Sequence, residues 1–198
     1  MNNSISEITG ADSCTPATLR MFLQQAVDHY PRLAVFSFRL TLPYRESMTD
    51  YRALILRFHT EVWLRTGEYS WQRQQERQSS PPTLLRWIWE AASAPECKMV
   101  LLLNLDTLGR VHDESAQQGI SEMLIDAWIT VTDANRKDVT NITPVILNRI
   151  AREVFTTPFN QLTAQVKAMT VPVTLARTGV ICAWTCSLAM RKDVSPRR

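Results

Sequence analysis

The sequence predicts an α+β fold, with an antiparallel sheet of about four to five strands and helices packed mainly on one face of it. Three patterns indicate this class. In residues 32–43 every second side chain is apolar, at Ala34, Phe36, Phe38, Leu40 and Leu42, which is the period of two that a strand requires. Residues 120–131 repeat apolar side chains at helical spacing. Two strand-like segments, 83–91 and 98–105, are separated by a short turn, which is typical of a hairpin.

The elements follow the order α-β-α-β-β-α-(α)-α-β-β. Thr15-Pro16 is a typical helix start, because a capping hydroxyl precedes a proline in the first turn. The second helix is expected to begin near Ser47 and to end at Gly67, because glycine commonly caps the C-terminus of a helix. The predicted helices are 16–30, 47–66, 113–131 and 158–169; the predicted strands are 32–43, 83–91, 98–105, 171–175 and 180–187; residues 144–155 fit either a helix or a short strand.

The composition indicates one globular domain. The chain has 198 residues, of which 45% are hydrophobic and 21% charged, values typical of a folded protein. We expect a polar lead-in at 1–14, a single domain at 15–190 and a basic tail at 191–198.

The charge and the cysteines narrow the class of partner only slightly. A net charge of +3 permits a polyanionic partner without requiring one. The four cysteines (Cys14, Cys97, Cys182 and Cys186) form no zinc-binding set, so we expect free thiols in a reducing cytoplasm. No apolar run is long enough for a membrane helix and the N-terminus is unlike a signal peptide, so we expect a cytoplasmic protein without a membrane partner.

Three stretches carry a family resemblance: HYPRLAVFSFRLTLP at 29–43, LLRWIWEAASAPECKMVLLLN at 84–104 and GISEMLIDAWI at 119–129. A weaker echo is RTGVICAWTCS at 177–187. In their order and spacing these stretches resemble the YagK/YfjJ C-terminal domain family, which is related to the replication proteins of filamentous phages. The resemblance implies the fold of an HUH-type endonuclease and an origin in a phage, a prophage or another mobile element.

The resemblance also implies a chemistry that the chain has lost. HUH enzymes hold a divalent metal on two histidines of one strand, and a tyrosine on a later helix attacks the scissile phosphate. By the match, Glu96 and Lys98 occupy the two histidine positions, and an ammonium group does not bind a metal cation. The stretch matching the nucleophile helix, 165–169, has no tyrosine, and none occurs after Tyr69. We therefore expect no catalysis, no metal and no cofactor.

Several cations are candidates for binding nucleic acid through its phosphates, against the simpler expectation of solvated surface charge. For Lys98, at the former metal position, we expect an ordinary ion pair with Glu96; the alternative is that its ammonium group holds a phosphate. His59 is expected on the same solvated helix face as the arginines, and Trp87 and Trp89 are expected in the core rather than stacked on bases. The candidates are Arg52, Arg57, Arg65, Arg73, Arg77, Lys98, Arg191 and Lys192.

The function expected from the sequence is that of a catalytically inactive, replication-initiator-like protein that binds single-stranded or hairpin DNA, or a phage or host protein. One alternative is a metal-dependent DNA nickase that uses Glu96 with Asp106 and one of Tyr44, Tyr51 or Tyr69. The other is a protein-interaction or inhibitory factor in phage–host conflict.

Overall fold

A computed structural model of the chain describes residues 6–9, 14–43, 48–90, 95–109, 114–133, 135–170 and 172–179. Within these ranges, strands and helices alternate irregularly along the chain, and a short 3₁₀ turn at Arg136–Asp138 precedes the fifth strand. The strands are β1 (Ser6–Thr9), β2 (Arg32–Thr41), β3 (Leu85–Glu90), β4 (Glu96–Asn104), β5 (Val139–Asn148) and β6 (Val173–Thr178); the helices are α1 (Pro16–His29), α2 (Met48–Gln75), α3 (Leu105–Leu108), α4 (Glu114–Thr132) and α5 (Arg152–Lys167).

The strands form one sheet in the order β1-β6-β3-β4-β2-β5, and every neighbouring pair is antiparallel. The predicted α+β class is confirmed, as is the β3–β4 pairing of the expected hairpin. The sheet is wider than expected for two reasons. The segment expected to be a lead-in contributes β1, and the ambiguous region around residue 144 contributes β5. The expected strand at 180–187 lies outside the described residues.

Helices cover both faces of the sheet, so the expectation that they pack mainly on one face is wrong. On one face, α2 and α4 bury side chains that include Phe36 of β2 and Trp87 of β3. On the other face, α1 and α5 bury Val35 and Ile88, which are adjacent in sequence to Phe36 and Trp87. Consecutive residues of a strand point to opposite faces, and here the adjacent residues Val35 and Phe36 of β2, like Trp87 and Ile88 of β3, are all apolar and buried. A strand with two apolar faces needs a layer of helices on each side.

Local signals account for the first helix but not for the length of the second. The Thr15 hydroxyl accepts a hydrogen bond from the Thr18 N–H at 3.1 Å, which caps α1 as its sequence predicts. The prediction that α2 ends at Gly67 is wrong, because the helix continues to Gln75. Thr66 and Ser70, on either side of Gly67, are both buried, and this packing maintains the helix through the glycine. Neither α2 nor another helix in the described ranges has both the length and the apolar composition needed to span a bilayer.

The strand β5 lies at one edge of the sheet, where among the described strands it pairs only with β2. It contains Pro144, which has no N–H to give to a ladder and is tolerated at a sheet edge. Its pairing register shifts between Ser37 and Arg39 of β2, and Asn141 adopts a left-handed backbone conformation with φ of 55°. The edge is therefore irregular as well as largely exposed.

The two cysteines in the described ranges are free. Cys97 is fully buried in β4, where burial and, after it, the Glu90 carboxylate raise the pKa of its thiol to about 12. Cys14 is half-buried beside the start of α1, and burial raises the pKa of this thiol as well. Cys182 and Cys186 lie outside the described residues.

Candidate functional site

The two positions matched to metal-binding histidines, Glu96 and Lys98, each pair with a residue of a neighbouring strand. The Arg39 guanidinium of β2 donates a hydrogen bond to the Glu96 carboxylate at 3.2 Å. The Lys98 ammonium lies 3.6 Å from a carboxylate oxygen of Glu90 in β3. The expected Glu96–Lys98 pair is therefore wrong, because the strands on either side of β4 bring oppositely charged partners to each residue.

Glu90 is the buried member of this charge cluster, and its two carboxylate oxygens have different partners. One oxygen accepts a hydrogen bond from the backbone N–H of Lys98 at 3.1 Å, and the other accepts one from the backbone N–H of Thr170 at 3.0 Å. Burial alone would raise the pKa of Glu90, but these N–H groups and the Lys98 ammonium lower it below the ordinary value. The Lys98 charge is thus already matched by an ionised carboxylate.

A cavity of about 360 Å³ lies beside this cluster. Arg39 and Lys98 line it from the sheet, and Gln165, Ala168 and Met169 line it from the end of α5 and the residues that follow. Lys98 and the stretch 165–169, which the YagK/YfjJ resemblance would make a metal-ligand position and a nucleophile segment, therefore line one cavity. Among the described residues, no three His, Cys, Asp or Glu side chains converge as a metal site requires. The polar lining of the cavity includes two cations, Arg39 and Lys98, each paired with a carboxylate outside the lining, and two amide side chains, Asn141 and Gln165.

The residues suggested for a non-standard nickase do not meet. Glu96 begins β4, whereas Asp106 lies in α3 just beyond the other end of that strand. Eight steps along a strand span about 27 Å, so one ion cannot contact both carboxylates. Tyr51 is buried in the core, and the Tyr69 hydroxyl donates a hydrogen bond to the Leu108 carbonyl at 3.0 Å. Tyr44 lies outside the described residues.

The arginines of α2 do not form the expected ridge. Arg52 and Arg57 are exposed, but five positions on a helix separate their side-chain directions by about 140°. The Arg65 guanidinium already has partners within the protein, because it donates hydrogen bonds to the Glu61 carboxylate at 2.8 Å and to the Thr130 hydroxyl of α4 at 2.9 Å. The remaining candidates Arg191 and Lys192 lie outside the described residues.

Arg73 and Arg77, at the end of α2, meet Arg32 of β2 in a polar cleft of about 810 Å³. Arg32 pairs with Asp106. Within the described ranges, neither Arg73 nor Arg77 forms an ion pair, so two positive charges there are uncompensated. We call this concavity the arginine cleft; its lining is Arg32, Arg73, Arg77, Gln78, Ser79, Pro81, Asp106 and Gly109.

Arg73 is held in place by two neighbours. Its guanidinium donates a hydrogen bond to the Tyr69 hydroxyl at 3.4 Å and lies over the Tyr69 ring, 5.7 Å from the centroid. It also lies against Gly109, where an added Cβ atom would be 2.6 Å from Nη2. No acceptor among the described residues binds the buried Nε of Arg73. The Tyr69 and Gly109 contacts position the Arg73 guanidinium in the cleft.

Arg77 follows the last turn of α2 with a left-handed backbone, φ 59°. The Gln78 N–H donates to the Arg73 carbonyl at 2.9 Å and the Arg77 N–H donates to the Gln74 carbonyl at 3.0 Å, which together form a Schellman cap. Glycine is the usual residue at this position, because a side chain there costs about 1 kcal/mol. Arg77 is nevertheless exposed and lines the arginine cleft.

Three aromatic residues considered as binding groups lie in the core. Trp87 and Trp89 are buried, as expected, so neither is available to stack on bases. The expectation that His59 lies on a solvated face is wrong, because its side chain is fully buried against Trp87.

Sequence reasoning found Arg73 and Arg77 but missed Arg32 and Gly109. The charge-rich end of α2 is visible as a local cluster of polar residues. The approach of Arg32 and Gly109 depends on the strand order of the sheet, and no local pattern reports it.

The molecule is thus an α+β protein with an antiparallel sheet covered by helices on both faces, and three arginines line the arginine cleft. The chain belongs to the family described as uncharacterised conserved protein UCP030791, whose model matches residues 6–142. That range includes the arginine cleft and the Glu96–Lys98 positions, whereas α5 and β6 lie beyond it. No curated protein and no solved structure matches the chain.

Proposed function

We propose that this chain is a catalytically inactive, replication-initiator-like protein of a phage or another mobile element, and that it binds single-stranded or hairpin DNA through the arginine cleft. The observation that carries the DNA role is the convergence of Arg32, Arg73 and Arg77 with one carboxylate between them. Guanidinium groups in such a cleft bind phosphate oxygens without reading the sequence.

The proposed loss of catalytic activity rests on the region around Glu96 and Lys98. The family resemblance assigns metal binding to Glu96 and Lys98 and the nucleophile to the stretch 165–169. One cavity is lined by Lys98 and by three residues of that stretch, Gln165, Ala168 and Met169. That arrangement supports the replication-initiator resemblance. The paired charges of Arg39, Glu96, Lys98 and Glu90 support the loss of cleavage, since they occupy the place where the resemblance expects a cation.

The geometry favours the arginine cleft over Lys98 as the phosphate site. The Lys98 charge is matched by Glu90, and moving it to a phosphate would leave that buried carboxylate unpaired. Arg77 is exposed and unpaired within the described ranges, and Arg73 is already positioned by Tyr69. Contact with phosphate therefore requires no internal ion pair to break at either arginine.

Fluorescence anisotropy with labelled single-stranded and hairpin DNA at a series of salt concentrations tests the DNA role. We expect Arg77→Gln and Arg73→Gln each to weaken binding and to reduce the slope of log affinity against log salt by about one. Arg57→Gln is the matched control, since this exposed arginine lies on the same helix outside the cleft. Its affinity and slope should equal those of the wild type.

Two results would contradict the proposal. Absence of DNA binding at about 50 mM salt, where phosphate contacts are strong, would remove the DNA role and favour a protein-interaction factor. A covalent protein–DNA adduct formed with Mg²⁺ or Mn²⁺ would show that the chain cleaves DNA.

A further inference from the structure

A second concavity, of about 340 Å³, lies on the outer surface of α2. Two large apolar side chains on its rim are strongly exposed: Trp71 at 61% and Leu64 at 50%. A third, Trp63, is half-buried at the opposite end. We call this concavity the Trp71 groove; its lining is Trp63, Leu64, Thr66, Gly67, Ser70, Trp71, Gln74, Pro82, Thr83 and Thr107.

Gly67 leaves the middle of the groove open. It lies four residues from Trp63 and four from Trp71, so the three positions follow one another along a helix face. A Cβ atom added at Gly67 would meet nothing within 4 Å. A glycine inside an exposed helix costs about 1 kcal/mol relative to alanine. Here the glycine leaves open space on the helix surface beside Trp71.

The groove adjoins the arginine cleft. Pro81 and Asp106 line the cleft, and the next residue of each, Pro82 and Thr107, lines the groove. The partition between them is fixed by hydrogen bonds: the Ser80 hydroxyl donates to the Thr107 carbonyl, and the Thr107 hydroxyl donates to the Pro81 carbonyl, both at 2.7 Å. A ligand that enters both concavities therefore crosses a wall of little more than one residue.

We propose that the Trp71 groove is a subsite for one unpaired nucleobase of a DNA strand whose neighbouring phosphates lie in the arginine cleft. This inference rests on the proposed DNA role. The Trp71 indole offers an exposed aromatic face on which any base stacks, and cationic groups beside stacking aromatics are typical of single-strand binding surfaces. Charge complementarity selects this occupant, because the uncompensated arginines of the adjoining cleft favour a chain that carries phosphates.

The test separates stacking from phosphate binding. Affinities are measured for a short oligothymidylate and for an abasic oligonucleotide of equal length, which keeps the phosphates and lacks bases. We expect the wild type to prefer the oligothymidylate by about tenfold, within the range of one stacked base. Trp71→Ala should abolish the preference and leave the affinity for the abasic strand unchanged.

Two further variants complete the design. Gly67→Leu places a helix-forming side chain in open space and should also abolish the preference for bases. Met21→Ala is the matched control, because Met21 is as exposed as Trp71 but lies on α1. Thermal unfolding of each variant should remain cooperative, so that lost binding is not lost folding.

Three outcomes would overturn the inference while leaving the DNA role intact: equal wild-type affinity for the two strands, an unchanged preference in Trp71→Ala, or equal weakening of both strands by that change. The first of these would make an apolar side chain of a partner protein the better occupant of the groove. Failure to bind either strand would instead refute the proposed function itself.

Discussion

The His59 imidazole lies flat against the Trp87 indole, with 4.0 Å between ring centroids and 6° between the planes. His59 is fully buried, and neither ring nitrogen finds a hydrogen-bond partner among the described residues. Burial therefore holds the pKa of His59 well below its ordinary value, and the ring is neutral in the folded protein.

This stack predicts a loss of stability in mild acid. In the unfolded chain the pKa of His59 returns to about 6.5. Below that pH the His59 imidazole is therefore protonated in the unfolded state and remains neutral in the folded state. The free energy of unfolding should be at its full value above about pH 6.5 and fall by up to about 1.4 kcal/mol per pH unit below it. Burial and the Arg86 charge lower the pKa of His29, which acts in the same direction.

Urea denaturation between about pH 7.5 and 5.5 checks this prediction, because few carboxylates titrate there. His59→Leu, which keeps an apolar side chain against Trp87, should remove most of the slope. An unchanged slope in that variant would place the titrating group elsewhere.

Glu90→Gln should destabilise the fold at pH 7 by about 1–3 kcal/mol, because two backbone N–H groups lose a charged acceptor and Lys98 loses its partner. The pKa of Glu90 is lowered by folding, so its contribution is present above the ordinary carboxyl pKa of about 4.3 and is lost as the pH falls through the folded value. The stability gap between wild type and variant should therefore narrow below about pH 4. Glu96→Gln, at an exposed pair, should cost less than about 1 kcal/mol at any pH.

Gly109→Ala should displace Arg73 and lower DNA affinity as much as Arg73→Gln does. The new methyl group would lie 2.6 Å from the Arg73 guanidinium, and Gly109 has φ of 114°, a conformation that disfavours side chains. A loss of about 1–3 kcal/mol in stability should accompany the loss of binding. Full affinity in a folded Gly109→Ala protein would show that the position of Arg73 is unimportant.

Arg77→Gly should separate stability from binding. Glycine relieves the left-handed strain at the Schellman cap, so the free energy of unfolding should rise by about 0.5–1 kcal/mol, while DNA affinity falls. Arg57→Gly is the matched control, because the same change in a helix interior should destabilise the protein by about 1 kcal/mol without affecting binding. A stability loss in Arg77→Gly would contradict the strain argument.

The parts of the fold that the sequence predicts are those with a strong internal period. The alternation in β2 and β3 identified both strands and put Trp87 and Trp89 in the core. The edge strand β5 is predicted only as one of two alternatives for the residues from Pro144 on, because it is largely exposed, contains that proline and is rich in Asn and Thr, all of which weaken a strand signal. His59 was misjudged because it borders the apolar stripe of α2, and only the neighbouring Trp87 decides that the border is buried.

In the candidate site, too, the residues that form a local sequence pattern could be predicted and those that depend on tertiary contacts could not. Arg73 and Arg77 were found because charge clusters are visible along a chain. The part played by Arg32 and Gly109 could not be predicted, since it depends on the tertiary contact between the start of β2, the end of α2 and the segment after β4. The open helix surface at Gly67 could not be predicted, because a glycine near the end of a helical pattern usually indicates a C-cap and so predicts that the helix ends there.

The irregular outer edge of β5 affects how copies of this chain behave at high concentration. A long, flat, unpaired strand is a template on which another polypeptide extends a sheet, and repeated extension produces insoluble fibres. At the β5 edge of the sheet, Pro144 and the register shift beside Arg39 interrupt the regular hydrogen-bonding pattern that such pairing needs. At the opposite edge, the strand β1 is only four residues long. Among the described strands, neither border of the sheet offers a regular surface from which such polymerisation would begin.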